Sequence, residues 1–95
     1  MLNRWTYDDE CKVFCYWLNN NRRVPSPNSS SLNNLINTLS QKHSPSSVIM
    51  KMRNFGYLIS HKGLPHTNQI DKTLYSNFIK CNMNINVFCR NHCIC

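Results

Sequence analysis

Carboxylates are scarce in this sequence: four Asp and Glu stand against eleven Lys and Arg among 95 residues, a formal charge of +7. So lopsided a balance argues for a polyanionic partner, and nucleic acid is the first to consider. No window approaches the roughly 18 consecutive apolar residues of a membrane-spanning helix, so no membrane association is expected. Met1-Leu2-Asn3-Arg4-Trp5 leads straight to Asp8, Asp9 and Glu10 without an apolar h-region. It reads as neither secretory signal nor transit peptide, which gives the expectation of a cytoplasmic chain. Charged residues are few, 16%, because Asn and Ser supply much of the polarity. No internal repeat is present. The 41% of hydrophobic residues is too many for a disordered tail, and 95 residues allow one small domain and no second.

The apolar residues recur at helical spacing. Thr6 ahead of Asp8, Asp9 and Glu10 is a helix start, with a hydroxyl to accept the Asp9 N–H and carboxylates on the positive end of the dipole. A first helix therefore begins at Tyr7, with Tyr7, Cys11, Phe14 and Leu18 in one stripe, and stops at Asn19-Asn20-Asn21. Residues 22–31, with Pro25, Pro27 and a serine cluster, read as a loop. Leu32, Leu35, Ile36 and Leu39 mark a second helix, capped by a preceding serine and ending near Lys42. Ser44-Pro45 is a cap followed by a proline with no donor to waste, and opens a third helix from Pro45 to Leu58 or Ile59. Val48, Met52, Phe55 and Ile59 form its inner face. Ser46, Met50, Arg53, Asn54 and Tyr57 fall on the opposite face, with Ser47 and Lys51 on the flank. After a loop over residues 60–66, Ile70, Leu74, Phe78 and Ile79 permit a fourth helix, capped by Thr67 or Asn68. The reading is all-α, one helical domain over residues 1–80. Residues 81–95, Asn-rich and holding four of the six cysteines, read as an irregular, poorly ordered and dispensable tail.

Trp5-Thr6 followed by Glu10, two short helices and a Ser-Pro-led basic helix resembles the Myb or SANT-like tri-helical fold, a relative of the helix-turn-helix. His43-Ser44-Pro45-Ser46-Ser47-Val48-Ile49-Met50-Lys51-Met52-Arg53-Asn54-Phe55, with Gly63-Leu64-Pro65 and then Asp71, Tyr75 and Phe78, resembles the region preceding the nuclease domain of prokaryotic HNH-type restriction endonucleases. The resemblance implies a DNA-facing module. The metal-binding ββα unit that such nucleases need for hydrolysis is absent, so no catalysis is expected.

In helix-turn-helix proteins the third helix enters the major groove, which makes Ser46, Ser47, Met50, Lys51, Arg53, Asn54 and Tyr57 the candidate site. Arg53 can donate to guanine and Asn54 to adenine, while Lys51, Lys42, Arg22, Arg23 and Lys62 can contact phosphates. A charged outer face is also what ordinary solvated surface looks like, and Met50 and Tyr57 would equally suit a protein partner. The alternative is thus a small interaction or inhibitor protein of a mobile element, engaging a nucleic-acid-binding enzyme. No small-molecule substrate is implied. His43, His61 and His66 read as exposed loop residues without a carboxylate or nucleophile, so no enzyme is expected. Without a signal peptide the cysteines read as free thiols. Cys11 and Cys15 read as core residues. Cys81, Cys89, His92, Cys93 and Cys95 are soft enough for one zinc, but their spacing matches no common knuckle, so no metal or cofactor is expected.

Overall fold

The computed structural model describes residues 4–60 and 69–94. They form five helices in the order α1 (Tyr7–Asn19), α2 (Ser30–Asn37), α3 (Pro45–Ser60), α4 (Gln69–Lys80) and α5 (Ile85–Arg90), with no strand among the described residues. The all-α expectation holds. The loop over 61–66, Lys62 and the caps expected at Thr67 or Asn68 lie outside the described residues.

The first three helices start where their caps place them. Thr6 Oγ1 accepts from the Asp9 N–H at 3.1 Å, and Asp8, Asp9 and Glu10 occupy the first turn of α1. Ser29 accepts from the Leu32 N–H at 3.2 Å to open α2, and Ser44 accepts from the Ser47 N–H at 3.1 Å, with Pro45 first in α3. Each side chain satisfies a donor that the helix itself cannot. α2 stops at Asn37, short of the expected Lys42. The Thr38 hydroxyl donates to Leu35 O at 2.6 Å, and the Asp9 carboxylate then takes the backbone N–H groups of Ser40 and Gln41 at 2.8 and 3.2 Å. Bonding to α1 replaces further helix.

α1 is the hub, packed against all four other helices. At its centre Phe14 meets Phe55 of α3, Phe78 of α4 and Phe88 of α5, with ring centroids 4.8, 5.3 and 5.7 Å away. These are edge-to-face contacts, the arrangement the ring quadrupoles prefer. Of the expected core, Phe14, Leu18, Leu35, Val48, Met52 and Phe55 are buried, and Leu39 is half-buried against them.

Beyond Lys80 the structure corrects the sequence reading. In place of an irregular tail there is α5, opened by Asn84, whose side chain accepts from the Val87 N–H at 3.0 Å. Phe88 is fully buried, 5.1 Å from Phe78 between ring centroids. Asn82 and Met83, both at φ 56°, make the tight turn from α4 that brings it there. The cysteines are corrected too: Cys11 pairs with Cys93 and Cys15 with Cys89, and no described cysteine is a free thiol. Cys11 and Cys15 lie one turn apart on α1, on the side that α5 covers, so the C-terminal segment is bonded to the hub helix and belongs to the domain.

Candidate nucleic-acid interface

α3 packs against α1, α2 and α4, so more of its circumference is covered than its apolar stripe implies. Ser46, Met50 and Arg53 are exposed, and Ser47 and Tyr57 are half-buried. Lys51 and Asn54 were expected on the outward side. They are buried, 5% and 9% exposed, because α4 covers the flank that carries Lys51 and the core takes in Asn54. Neither reaches a partner's surface. Arg22 and Arg23, in the turn after α1, and Lys42, before α3, are exposed.

Arg53 stands between two neighbouring clefts. One, about 280 Å³, is lined by Trp17, Arg22, Met52 and Gly56 among others, and the second, about 450 Å³, by Pro25, Pro27, Ser46 and Met50 among others. Arg53 and Val24 border both. Arg53 and Arg22 thus share one cleft rim on a surface otherwise made of Ser, Pro and apolar side chains. Such a surface can hold an anionic group by the paired guanidinium forks, which match phosphate geometry.

Behind this face lies a buried ionic cluster. Lys51 Nζ is 3.0 Å from Asp71 Oδ1 on α4 and 3.7 Å from Glu10 Oε2 on α1, and both carboxylates are fully buried. It also lies 5.3 Å from the ring centroid of Trp5, a cation–π contact. Burial, with the neighbouring Asp71 carboxylate adding to it, pushes the Glu10 carboxyl up to about 9 against the pull of Lys51. Glu10 is therefore protonated at neutral pH, and the Lys51 ammonium is balanced by the Asp71 carboxylate. None of the three lines either cleft beside Arg53.

Asp9 and His43 form the adjoining part. Burial alone would raise the Asp9 carboxyl, but hydrogen bonds from the Ser40 N–H, the Ser40 hydroxyl and the Gln41 N–H, with Lys12 nearby, hold it below the usual carboxylate range. His43, expected to be exposed and without a carboxylate partner, is 8% exposed and stacks on Trp5 with centroids 3.8 Å apart and planes 6° from parallel. Its Nε2 lies 4.0 Å from Asp9 Oδ2. Burial and Lys51 lower its basicity despite Asp9. Asp9 and Glu10 are adjacent in sequence, yet one is kept ionised and the other neutral by the partners each meets.

The consequence for the surface is a sorting of charge. Of the four carboxylates, Asp9, Glu10 and Asp71 are fully buried and Asp8 alone is exposed. Among the described Lys and Arg residues, every one except Lys51 is exposed. The outer surface is far more one-signed than the sequence charge of +7 states.

A second cluster joins α1 to the C-terminal segment. The Sγ atoms of Cys11, Cys15 and Cys93 lie within 4.8 Å of one another, and Cys89 is bonded to Cys15. The sequence reading passed over this group. The signal for it is the repeated C-x3-C spacing, Cys11 and Cys15 against Cys89 and Cys93, which sets the first pair on one side of α1. Comparison with protein-family models, curated proteins and solved structures found no match to this chain.

Proposed function

We propose that this chain is a small duplex-DNA-binding module, with no reaction of its own, that lays the exposed side of α3 against DNA. In this reading α1, α2 and α3 act as the tri-helical unit of Myb or SANT type, in the manner of a detached recognition region of a restriction-type nuclease. Arg53 is the base-reading candidate, with Ser46 and Met50 beside it, because its fork can donate to two acceptors of one guanine. Arg22, Arg23 and Lys42 contact phosphates. Lys51 ties the helix to α4 and α1 from inside.

The observation that carries the reading is the charge sorting: the fold withdraws three of the four carboxylates from solvent while leaving the described cations outside, apart from Lys51. A polyanion meets almost no like charge on such a surface. Exposed Met50 and Val24, beside Pro25 and Pro27, favour a second reading in which the same face engages a nucleic-acid-binding enzyme.

Mobility shift of the oxidised protein on duplex DNA over a salt series separates the two. Under the DNA reading, the log of affinity falls with the log of salt by about 0.9 per phosphate contacted. Arg53→Ala weakens specific binding by about 1 to 3 kcal/mol, and the Arg22→Ala, Arg23→Ala pair lowers the salt slope. Absence of binding at low salt, or wild-type affinity in both variants, refutes the DNA reading and directs attention to the protein partner.

A further inference from the structure

We propose that Cys11, Cys15, Cys89 and Cys93, once reduced, form a four-thiolate site for a single zinc ion. The inference is independent of the DNA reading: it rests on sulfur geometry on the side of α1 that faces α5.

Tetrahedral zinc with Zn–S bonds of about 2.3 Å sets its sulfurs about 3.8 Å apart. Cys15 Sγ and Cys93 Sγ belong to different disulfides, yet lie 3.7 Å from each other. Cys11 Sγ is within 4.8 Å of both, and Cys89 Sγ is at hand through its bond to Cys15. Three of the four sulfurs thus already lie together, and the fourth is bonded to one of them. Reduction lets each bonded pair open toward the spacing that a shared ion requires.

The ligands are also held by contacts that reduction leaves in place. α1 fixes Cys11 and Cys15 one turn apart. On the other side, Phe88 anchors α5 in the core, and the Cys93 N–H donates to Phe88 O at 2.8 Å. The Tyr7 hydroxyl donates to the Cys93 carbonyl, and Asn77 Nδ2 donates to that hydroxyl at 2.9 Å. Cys93 is buried, whereas Cys15 and Cys89 are half-buried and give the ion its way in. A zinc tetrathiolate carries two negative charges, which a protein of +7 accommodates.

The chemistry balances as follows. Each of the Cys11–Cys93 and Cys15–Cys89 disulfides takes two electrons from one equivalent of a phosphine and two protons from water, the phosphine leaving as its oxide, and the two bonds become four thiols; Cys81, also disulfide-bonded, is reduced in the same way. Zinc binding then forms four Zn–S bonds and displaces four protons to solvent, so affinity rises with pH. The choice of zinc over magnesium or calcium follows from the softness of thiolate ligands.

The test uses the full chain reduced with a phosphine, in the absence of thiol competitors, with cobalt(II) as the spectroscopic probe and zinc as its competitor. The expected result is one equivalent of cobalt giving the intense bands of a tetrahedral thiolate site, abolished by one equivalent of zinc. Alkylation followed by peptide mass mapping then finds Cys11, Cys15, Cys89 and Cys93 shielded by zinc and Cys81 reactive. Cys81→Ser keeps the spectrum, and Cys15→Ser or Cys89→Ser loses its four-sulfur intensity. Because the mapping reports which thiols are shielded, it decides the question even if reduction alone loosens the fold. Shielding of any other set, a weak octahedral cobalt spectrum, or no zinc competition overturns the proposal.

Discussion

Lys51 Nζ on α3 and Asp71 Oδ1 on α4 lie 3.0 Å apart with both side chains inside the protein. The pair joins two helices separated in sequence by a long connection, and Glu10 extends the tie to α1 at 3.7 Å. Removing one partner of a buried pair strands the other, so Lys51→Ala should cost about 3 to 5 kcal/mol of stability. Arg53→Ala, on the exposed side of the same helix, should stay within about 0.5 kcal/mol. Denaturant midpoints of the two variants check this directly. Equal midpoints would place Lys51 on the surface after all.

Glu10 makes stability fall as the medium turns alkaline. Its carboxyl is held up at about 9 in the folded chain, by burial first, against an ordinary value of 4.5 once unfolded. Between those values the folded state keeps a proton that the unfolded state has released. The contribution is therefore complete below about pH 4.5 and is lost as pH rises toward 9. Lys51 and Asp71 are the charged groups that face it. Glu10→Gln keeps the shape and removes the titration. The melting temperature of the parent should decline between pH 5 and pH 9, approximately the window those two values set, and that of Glu10→Gln should decline less. Parallel curves would show that Glu10 is ionised in the fold.

The starts of α1, α2 and α3 could be read from Thr6, the serines before Leu32 and Ser44-Pro45, because a cap is a local interaction between residues three apart. The buried side of α3 was only half legible. A period of 3.6 picks out one apolar stripe, and Lys51 looks like surface until a second helix supplies Asp71 to pair with it. Nothing local to Lys51 announces a partner across a long connection. For α5 the difficulty was length: six residues give too few turns for a stripe, and Asn84 as a cap is indistinguishable from the surrounding asparagines. Cysteine pairing is likewise a long-range fact, with partners 82 and 74 residues apart, and composition speaks only to the compartment. Of the candidate site, Ser46, Met50 and Arg53 lie where the helical period puts them.

Phe88 ties the C-terminal segment to the core, so the segment should be indispensable. Phe88→Ala removes a fully buried ring from the group around Phe14 and Phe78 and should cost about 3 to 5 kcal/mol. Val87→Ala, one residue earlier and 42% exposed, should change stability by no more than about 0.5 kcal/mol. A chain ending at Lys80 should lack a cooperative thermal transition, since it loses Phe88, Cys89 and Cys93 together. A truncated chain that melts like the full one would return residues 81–95 to the status of a tail.

Asp9 governs the opposite end of the pH range from Glu10. Its carboxylate accepts from the Ser40 N–H at 2.8 Å, the Ser40 hydroxyl at 2.9 Å and the Gln41 N–H at 3.2 Å, so the charged form is favoured despite burial. A carboxyl held below its unfolded value stabilises the fold above that value, and the stabilisation is lost as pH falls through the folded one. The loss lies below about pH 4, the ordinary range for an Asp carboxyl. His43, whose basicity burial lowers in the fold, adds a loss that begins at higher pH than that of Asp9, because as pH falls the unfolded imidazole takes up its proton first, near the usual value of 6.5. Asp9→Ala should cost about 1 to 3 kcal/mol at neutral pH, by removing the acceptor that ends α2 and positions the segment before α3. It should also flatten the steepest part of the acid limb. His43→Gln should leave that part intact and flatten the shallower loss that sets in as pH falls below the usual imidazole value of 6.5. Midpoints for the parent and both variants across the acid range separate the two contributions. An acid limb unchanged by Asp9→Ala would mean that the bonds to Ser40 and Gln41 do not hold that carboxylate in its charged form.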